Sequence, residues 1–377
     1  MNAAKRLILV AGEPSGDRLG AELVRALRRR CDFNLSFFGV AGAAMQAEGV
    51  SSAFAIEDLS IMGFLDVPRA LPRLAARLHG LARESADWRP HAIVTIDSPE
   101  FSLRIQRRLE VLGCPRIHYV APKAWAWRPG RARHLARDVD MVLALFPFEP
   151  DFFASYCVRC DFVGHPALDR ARRTIGSGWD NDHRPCICIL PGSRRSEVSR
   201  HLPAMIEACE ALRTRVPDLL VAVPTVDAVV DEVRKRVPAD ERHYRLVSDP
   251  ETRWAVFRAA RMAIAKLGTI SLELAFANCP FVSIYRTDPV SAAVARRLVR
   301  SRFLALPNIL LDEPLVPEIV QGDLNRQTLE KAVLDLWFDD QRRTRQRDGF
   351  ERLRDIMDPG DGRTASERAA DSILSLL

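Results

Sequence analysis

Short apolar runs alternate with helical stretches along the whole chain, and no other feature narrows the fold so far. The runs are too brief for buried helices, and the stretches between them are long enough for crossover helices. That pattern demands parallel strands joined by βαβ units. The first half predicts strands at 6–11, 35–40, 92–96, 116–120, 141–145 and 160–163. The second half predicts them at 186–190, 219–223, 244–247, 262–265, 281–284 and 303–306. Between the two series, 169–185 carries Gly176-Ser177-Gly178 among charges and reads as a linker. With 377 residues, each half is long enough to bury its own core. The expected architecture is α/β, with two parallel-sheet domains facing a shared nucleotide cleft. Their expected bounds are 1–170 and 184–345. A C-terminal helical segment, 346–377, is expected to dock on the first domain or on a partner chain. Within it, Thr364-x-x-Glu367 predicts a capping box for a last helix carrying Ala369, Ala370, Ile373, Leu374 and Leu377.

An apolar fraction of 47% and a charged fraction of 28% are those of a globular domain. The first apolar run is too short for a signal-peptide core, and no run reaches the ~20 apolar residues of a spanning helix. The expectation is a cytoplasmic protein. Lys and Arg number 55 against 49 Asp and Glu, a net charge of +6 that suits anionic partners. No basic stripe interleaves with aromatics, so nucleic acid is not an expected partner. Eight cysteines in such a chain do not make a disulfide framework. Cys157-Val158-Arg159-Cys160 has no second pair at zinc-ligand spacing, and its cysteines read as small buried hydrophobes.

Ligands of open α/β sheets sit beyond the carboxyl ends of the strands, so each loop there is a candidate. The run Cys186-Ile187-Cys188-Ile189-Leu190 ends in Pro191-Gly192-Ser193-Arg194-Arg195 and then turns helical. A Gly-Ser turn at a helix N-terminus presents backbone N–H groups to a phosphate, with Arg194 or Arg195 adding charge. Ala265-Lys266-Leu267-Gly268-Thr269 repeats the arrangement, and Glu273, a turn further on, can accept both hydroxyls of a ribose. In the first half, Gly12-Glu13-Pro14-Ser15-Gly16-Asp17 lacks the G-x-G-x-x-G of a dinucleotide site. Its carboxylates suit a sugar or hydroxyl acceptor, or else Ser15 and Asp17 cap the helix. Asp97 directly follows the run 92–96, where it can act as a general base or as a helix cap. Trp125 and Trp127 are placed to line a pocket, with Lys123 and Arg128 meeting an anion, or to form core. Asp138-Val139-Asp140 resembles a D-x-D metal motif but precedes its strand, so no metal site is assigned. Phe64 and Leu65, followed by Arg69, Arg73 and Arg77 at helical spacing, suit an interfacial helix on acidic lipid or an ordinary surface helix.

Taken in order, these stretches resemble the bacterial lipid-A-disaccharide synthase family. The match runs through Gly12-Glu13-Pro14-Ser15-Gly16-Asp17, Met62-Gly63, Asp97-Ser98-Pro99-Glu100-Phe101, Trp125-Ala126-Trp127-Arg128, Phe146-Pro147-Phe148-Glu149 and Gly164-His165-Pro166. It continues through Leu190-Pro191-Gly192-Ser193-Arg194 with Glu197, Gly268-Thr269 with Glu273, and Leu306-Pro307-Asn308. The resemblance implies a GT-B-type fold and inverting transfer with no cofactor and no metal. It implies UDP-2,3-diacylglucosamine as donor and 2,3-diacylglucosamine 1-phosphate as acceptor, giving a β-1,6-linked disaccharide and UDP. Asp97 would be catalytic. Gly192, Ser193, Arg194, Gly268, Thr269 and Glu273 would hold the donor. Glu13, Ser15, Asp17, Trp127, Arg128 and Asn308 would face the acceptor or pocket. Phe64, Leu65, Arg69 and Arg73 would touch the inner face of the cytoplasmic membrane, where the enzyme attaches peripherally. A homodimer with exchanged C-terminal segments is also implied. Leu267 departs from the family's usual serine, and Pro14 and Lys123 replace commoner small residues. A UDP-sugar epimerase of the same fold and a non-catalytic nucleotide-sugar-binding module are the alternatives.

Overall fold

The chain forms two units, seen in a computed structural model. The structure describes residues 4–59, 67–122, 124–127, 130–173, 179, 184–289, 291–293 and 301–377, with backbone alone for 67–74, 126, 127 and 131. The first unit comprises the residues up to Pro166 together with Pro359–Leu377, and the second is Ala167–Asp358.

The first sheet contains β1 (Lys5–Ala11), β2 (Leu35–Val40), β3 (Ser51–Ser52), β4 (Ala92–Ile96), β5 (Arg116–Tyr119), β6 (Met141–Ala144) and β7 (Cys160–Phe162), in the order β3-β2-β1-β4-β5-β6-β7. All pairings are parallel. Alternate residues of β1 feed opposite layers, as strand periodicity requires. Leu7, Leu9 and Ala11 pack with Leu23 and Leu27 of the helix Pro14–Arg30. Ile8 and Val10 pack with Ile105 of the helix Pro99–Arg108 and with Leu78 and Leu81 of the helix Val67–Trp88. Pro14 and Pro99 each open their helix, where a missing N–H costs nothing.

The second sheet contains β8 (Cys186–Leu190), β9 (Leu220–Pro224), β10 (Tyr244–Val247), β11 (Met262–Lys266), β12 (Phe281–Tyr285) and β13 (Glu318–Val320). Their order is β10-β9-β8-β11-β12-β13, again all parallel. Ile187 and Ile189 pack against Val198, Leu202 and Met205 of the helix Arg195–Arg213.

The expected strand at 303–306 does not form. Ala305 instead caps the helix Leu306–Leu311. Glu318 is the reason: its carboxylate accepts the N–H groups of Leu304 and Ala305, the latter at 2.8 Å, and so closes that turn. The helix Asp340–Met357 belongs to the second unit, where Gln346 bonds both backbone groups of Phe281 and Phe350 stacks on the Phe281 ring at 5.8 Å. The chain therefore returns to the first unit at Pro359, later in the sequence than 346. There the helix Ala365–Leu374 starts in the capping box, with Thr364 N–H donating to Glu367 at 2.8 Å. Ala369, Ala370 and Ile373 complete the same core layer as Leu23 and Leu27. Buried Arg368 ties this return to the sheet, bonding Asp361 and the Val163 carbonyl (3.0 Å). Of the CxxC pair, Cys157 is exposed and Cys160 half-buried, so the first is not a core residue.

One polar cluster lies inside the first core. His118 Nδ1 meets Thr95 Oγ1 at 2.9 Å, and Gln106 Nε2 donates to Thr95 Oγ1 and the Ile117 carbonyl. His118 has no exposed surface, and burial pushes its pKa from 6.5 down to about 4. The imidazole is neutral when folded, so at acid pH the unfolded chain alone takes the proton first. Stability should therefore be lost as pH falls from about 6.5 and level off below about 4, costing up to about 3 kcal/mol from this residue. Denaturant midpoints measured across that range should fall more steeply for the native chain than for His118→Asn. Equal slopes would contradict the assignment.

Candidate active site

In each sheet the strand order reverses at one place: between β1 and β4 in the first unit, and between β8 and β11 in the second. At such a switch point neighbouring loops diverge and leave a crevice. Asp97 and the loop after β1 fall at the first, and the turns at Gly192 and Gly268 at the second.

In the first unit, Asp97 and Ser98 follow β4 with φ of 55° and 44°. Two consecutive left-handed residues cost about 1–2 kcal/mol each. The conformation is held by Ser102 Oγ donating to the Asp97 carbonyl (2.6 Å) and by Asp97 N–H donating to the Tyr119 carbonyl (2.9 Å). Asp97 Oδ1 accepts its neighbour's N–H at 2.8 Å, and Oδ2 has no hydrogen-bond partner among the described residues. Gly12, at the end of β1, lies against this turn so closely that an added Cβ would stand 2.5 Å from Ser98 Cβ.

The acidic loop after β1 divides by role. Glu13 and Ser15 are exposed at the helix start. Asp17 is not an acceptor-facing group: it is buried, and its carboxylate takes the N–H groups of Gly42, Ala44 and Met45 at 2.8–3.1 Å, closing the start of the helix Ala43–Ala47. Trp125 Nε1 donates to buried Glu149 at 3.1 Å, and Phe146 and Phe148 flank the indole. Asp138 and Asp140 precede β6, as expected, and pair with Arg107 and Arg116. Phe64, Leu65, Lys123 and Arg128 lie outside the described residues, as do the side chains of Arg69, Arg73 and Trp127.

In the second unit, the turn after β8 depends on Gly192, whose φ is 122°. A Cβ there would stand 2.5 Å from Glu197 Oε2. Glu197 folds back under the turn and accepts the N–H groups of Ser193 (3.0 Å) and Arg194 (3.3 Å). Thus two of the amides expected to meet phosphate already serve a carboxylate, while the Arg195 and Ser196 residues remain exposed. Burial alone would raise the Glu197 pKa, but Lys266, the Ser193 amide and Arg194 outweigh it and hold the carboxyl below its ordinary range. Arg194 is three-quarters exposed and 3.6 Å from Glu197. His201 Nε2 accepts from the Arg286 amide (2.9 Å) and its Nδ1 meets the Pro191 carbonyl (3.2 Å), pinning the turn to the end of β12.

After β11, Gly268 and Thr269 open the helix Ile270–Phe276. Glu273 Oε2 lies 3.1 Å from a terminal nitrogen of Arg253, an ion pair without hydrogen-bond alignment, since neither Glu273 Oε2 nor Arg253 Nε has a hydrogen-bond partner among the described residues. Asn308 is a structural pin, not a pocket residue: 1% exposed, it bonds both backbone groups of Val316 and the Glu318 carboxylate at 2.8 Å. Sequence reasoning gave no role to Lys266 or Arg253. Only the strand-end position of Lys266 could have marked it.

This pair of parallel-sheet units is the GT-B-type fold, a class that holds glycosyltransferases and sugar epimerases. The S. aureus MnaA–UDP co-structure has a TM-score of 0.69 at 14% identity, covering 100% of this chain and 98% of that one. A Neisseria meningitidis UDP-GlcNAc 2-epimerase bound to UDP-GlcNAc has a TM-score of 0.63 at 12% identity, covering 98% and 100%. These likenesses carry the fold alone. Sequence decides further: the lipid-A-disaccharide synthetase family model matches residues 7–371. Lipid-A-disaccharide synthases of Nitrobacter winogradskyi and Rhodospirillum centenum are 39% and 41% identical over 383 aligned residues, covering 100% and 98% of this chain and 96% and 94% of theirs. The chain belongs to the lipid-A-disaccharide synthetase family, and its activity is a glycosyltransferase step of lipid A biosynthesis. That sets aside the epimerase and the non-catalytic module.

Gly192→Ala should strain the turn, displace Glu197 and destabilise the second unit by about 2 kcal/mol. Thermal unfolding and UDP titration should show a lower midpoint and at least ~10-fold weaker binding. Native-like affinity would show that the turn does not serve the donor.

Proposed function

We propose that the chain transfers 2,3-diacylglucosamine from UDP-2,3-diacylglucosamine to 2,3-diacylglucosamine 1-phosphate by direct displacement. Asp97 takes the proton of the acceptor's 6-hydroxyl as that oxygen attacks the anomeric carbon from the face opposite UDP. Inversion at that carbon gives the β-1,6 linkage. The departing diphosphate gains charge, which Arg194 and the turns at Gly192-Ser193 and Gly268-Thr269 stabilise. Glu273 accepts the ribose hydroxyls, and Glu13 and Ser15 face the acceptor. The observation that carries this reading is Asp97 itself: a carboxylate at the first unit's switch point, on a strained backbone, with one oxygen uncommitted.

The same reading places the enzyme peripherally on the inner face of the cytoplasmic membrane, touching it through Phe64, Leu65, Arg69 and Arg73. No helix of the described residues is long and apolar enough to cross a membrane. Support comes from the helix Val67–Trp88, which is anchored from its middle: Leu78 and Leu81 are buried, and Arg77 pairs with Asp58 at 2.7 Å. A homodimer with exchanged C-terminal segments would pass the helix Ala365–Leu374 to the other copy, keeping the same core contacts.

Asp97→Asn is the direct test of the base. Asparagine tolerates the left-handed backbone, so folding should be kept. Turnover should fall by about 10²–10⁴-fold with UDP affinity unchanged. Substantial residual turnover would remove Asp97 from the role. For the membrane, Arg69→Glu with Arg73→Glu should abolish co-sedimentation with acidic vesicles. Undiminished binding would move the contact elsewhere.

A further inference from the structure

The second unit's switch point holds a cation that the donor contacts above do not use. Lys266 ends β11, and its Nζ lies 2.9 Å from Glu197 Oε1. The same atom is 5.4 Å from the Tyr285 ring centre and 3.8 Å from where a Cβ on Gly268 would stand. One ammonium therefore borders both turns, the one after β8 through Glu197 and the one after β11 through Gly268. It is held there from two sides, by a carboxylate and by an aromatic face. Lys266 and Glu197 are 19% and 12% exposed, so water screens them little.

The charge balance gives this placement its meaning. Glu197 Oε2 accepts the Ser193 and Arg194 amides, which orders the turn but sets a negative charge where a diphosphate would approach. Without a counter-charge the ordered turn would repel its ligand. Arg194, largely in solvent and 3.6 Å away, is a weak counter-charge, whereas Lys266 is close and half-enclosed. We propose that Lys266 is a specificity-determining residue for the donor's diphosphate, its ammonium cancelling Glu197 and making the two turns jointly receptive to an anion. Glu197 is then a positioning residue that orders the turn and holds Lys266 between the loops. This rests on the reading that the second unit binds UDP.

The test measures UDP by calorimetry and uridine by NMR titration on the full chain, native and as Lys266→Met, Lys266→Gln and Lys266→Arg. Thermal unfolding confirms which variants fold. Lys266→Met, or Lys266→Gln should Met fail to fold, is expected to weaken UDP binding by about 10–100-fold and to flatten its salt dependence. Uridine, which lacks phosphate, should bind within about 2-fold of native. Lys266→Arg should recover most of the UDP affinity. Unchanged UDP binding in the neutral variants overturns the proposal, and so does equal loss of UDP and uridine, which marks a purely structural role. A native chain that binds no UDP overturns the donor reading and this inference with it.

Discussion

In each unit every described strand runs parallel to its neighbours, so the carboxyl ends, and the loops that leave them, fall along one edge of the sheet. Chemistry-bearing residues scattered through the sequence are gathered by that geometry alone. Asp97 joins Gly12 because β4 and β1 are neighbours across a reversal of strand order. The turn at Gly192 joins Lys266 because β8 and β11 are neighbours in the same way. The cores support this arrangement by burying the central strands on both faces, as β1, β4 and β8 show.

Carboxylates order several loops and helix starts in both units. Asp17, Glu149, Glu197 and Glu318 each accept two or more backbone N–H groups at the start of a loop or helix. Each satisfies orphan amides that a buried or half-buried turn would otherwise leave unpaired. Asp97 differs. It takes only one amide, on a strained backbone, and keeps an oxygen in reserve. That contrast is why the proposed base is Asp97 and not one of the carboxylates that build the loops around it.

The fold was legible because parallel sheets leave a plain mark: apolar runs buried on both faces. Strands β1, β4 and β8 were read almost to the residue. The elements that escaped had no such mark. β3 is two residues long and β13 three, with polar Glu318 in it, while the run at 303–306 is apolar yet is pulled into a helix cap by that same glutamate. The places of Asp97 and Gly192 were legible because each lies just past a plainly marked strand. Asp17 and Asn308 were misread because their burial is set by partners far along the chain or by a loop closure that periodicity does not report. Lys266 was passed over because its role depends on Glu197, which reaches it only through the pairing of β8 with β11.

The whole account comes down to a coupled transfer in which UDP leaves only as the new glycosidic bond forms. Purified protein given UDP-2,3-diacylglucosamine, with and without 2,3-diacylglucosamine 1-phosphate, tests this directly when UDP and lipid products are followed together. UDP and a β-linked disaccharide phosphate should appear in equal amounts, and only with both substrates present. Conversion of the donor without acceptor, or UDP released with no disaccharide, would contradict it.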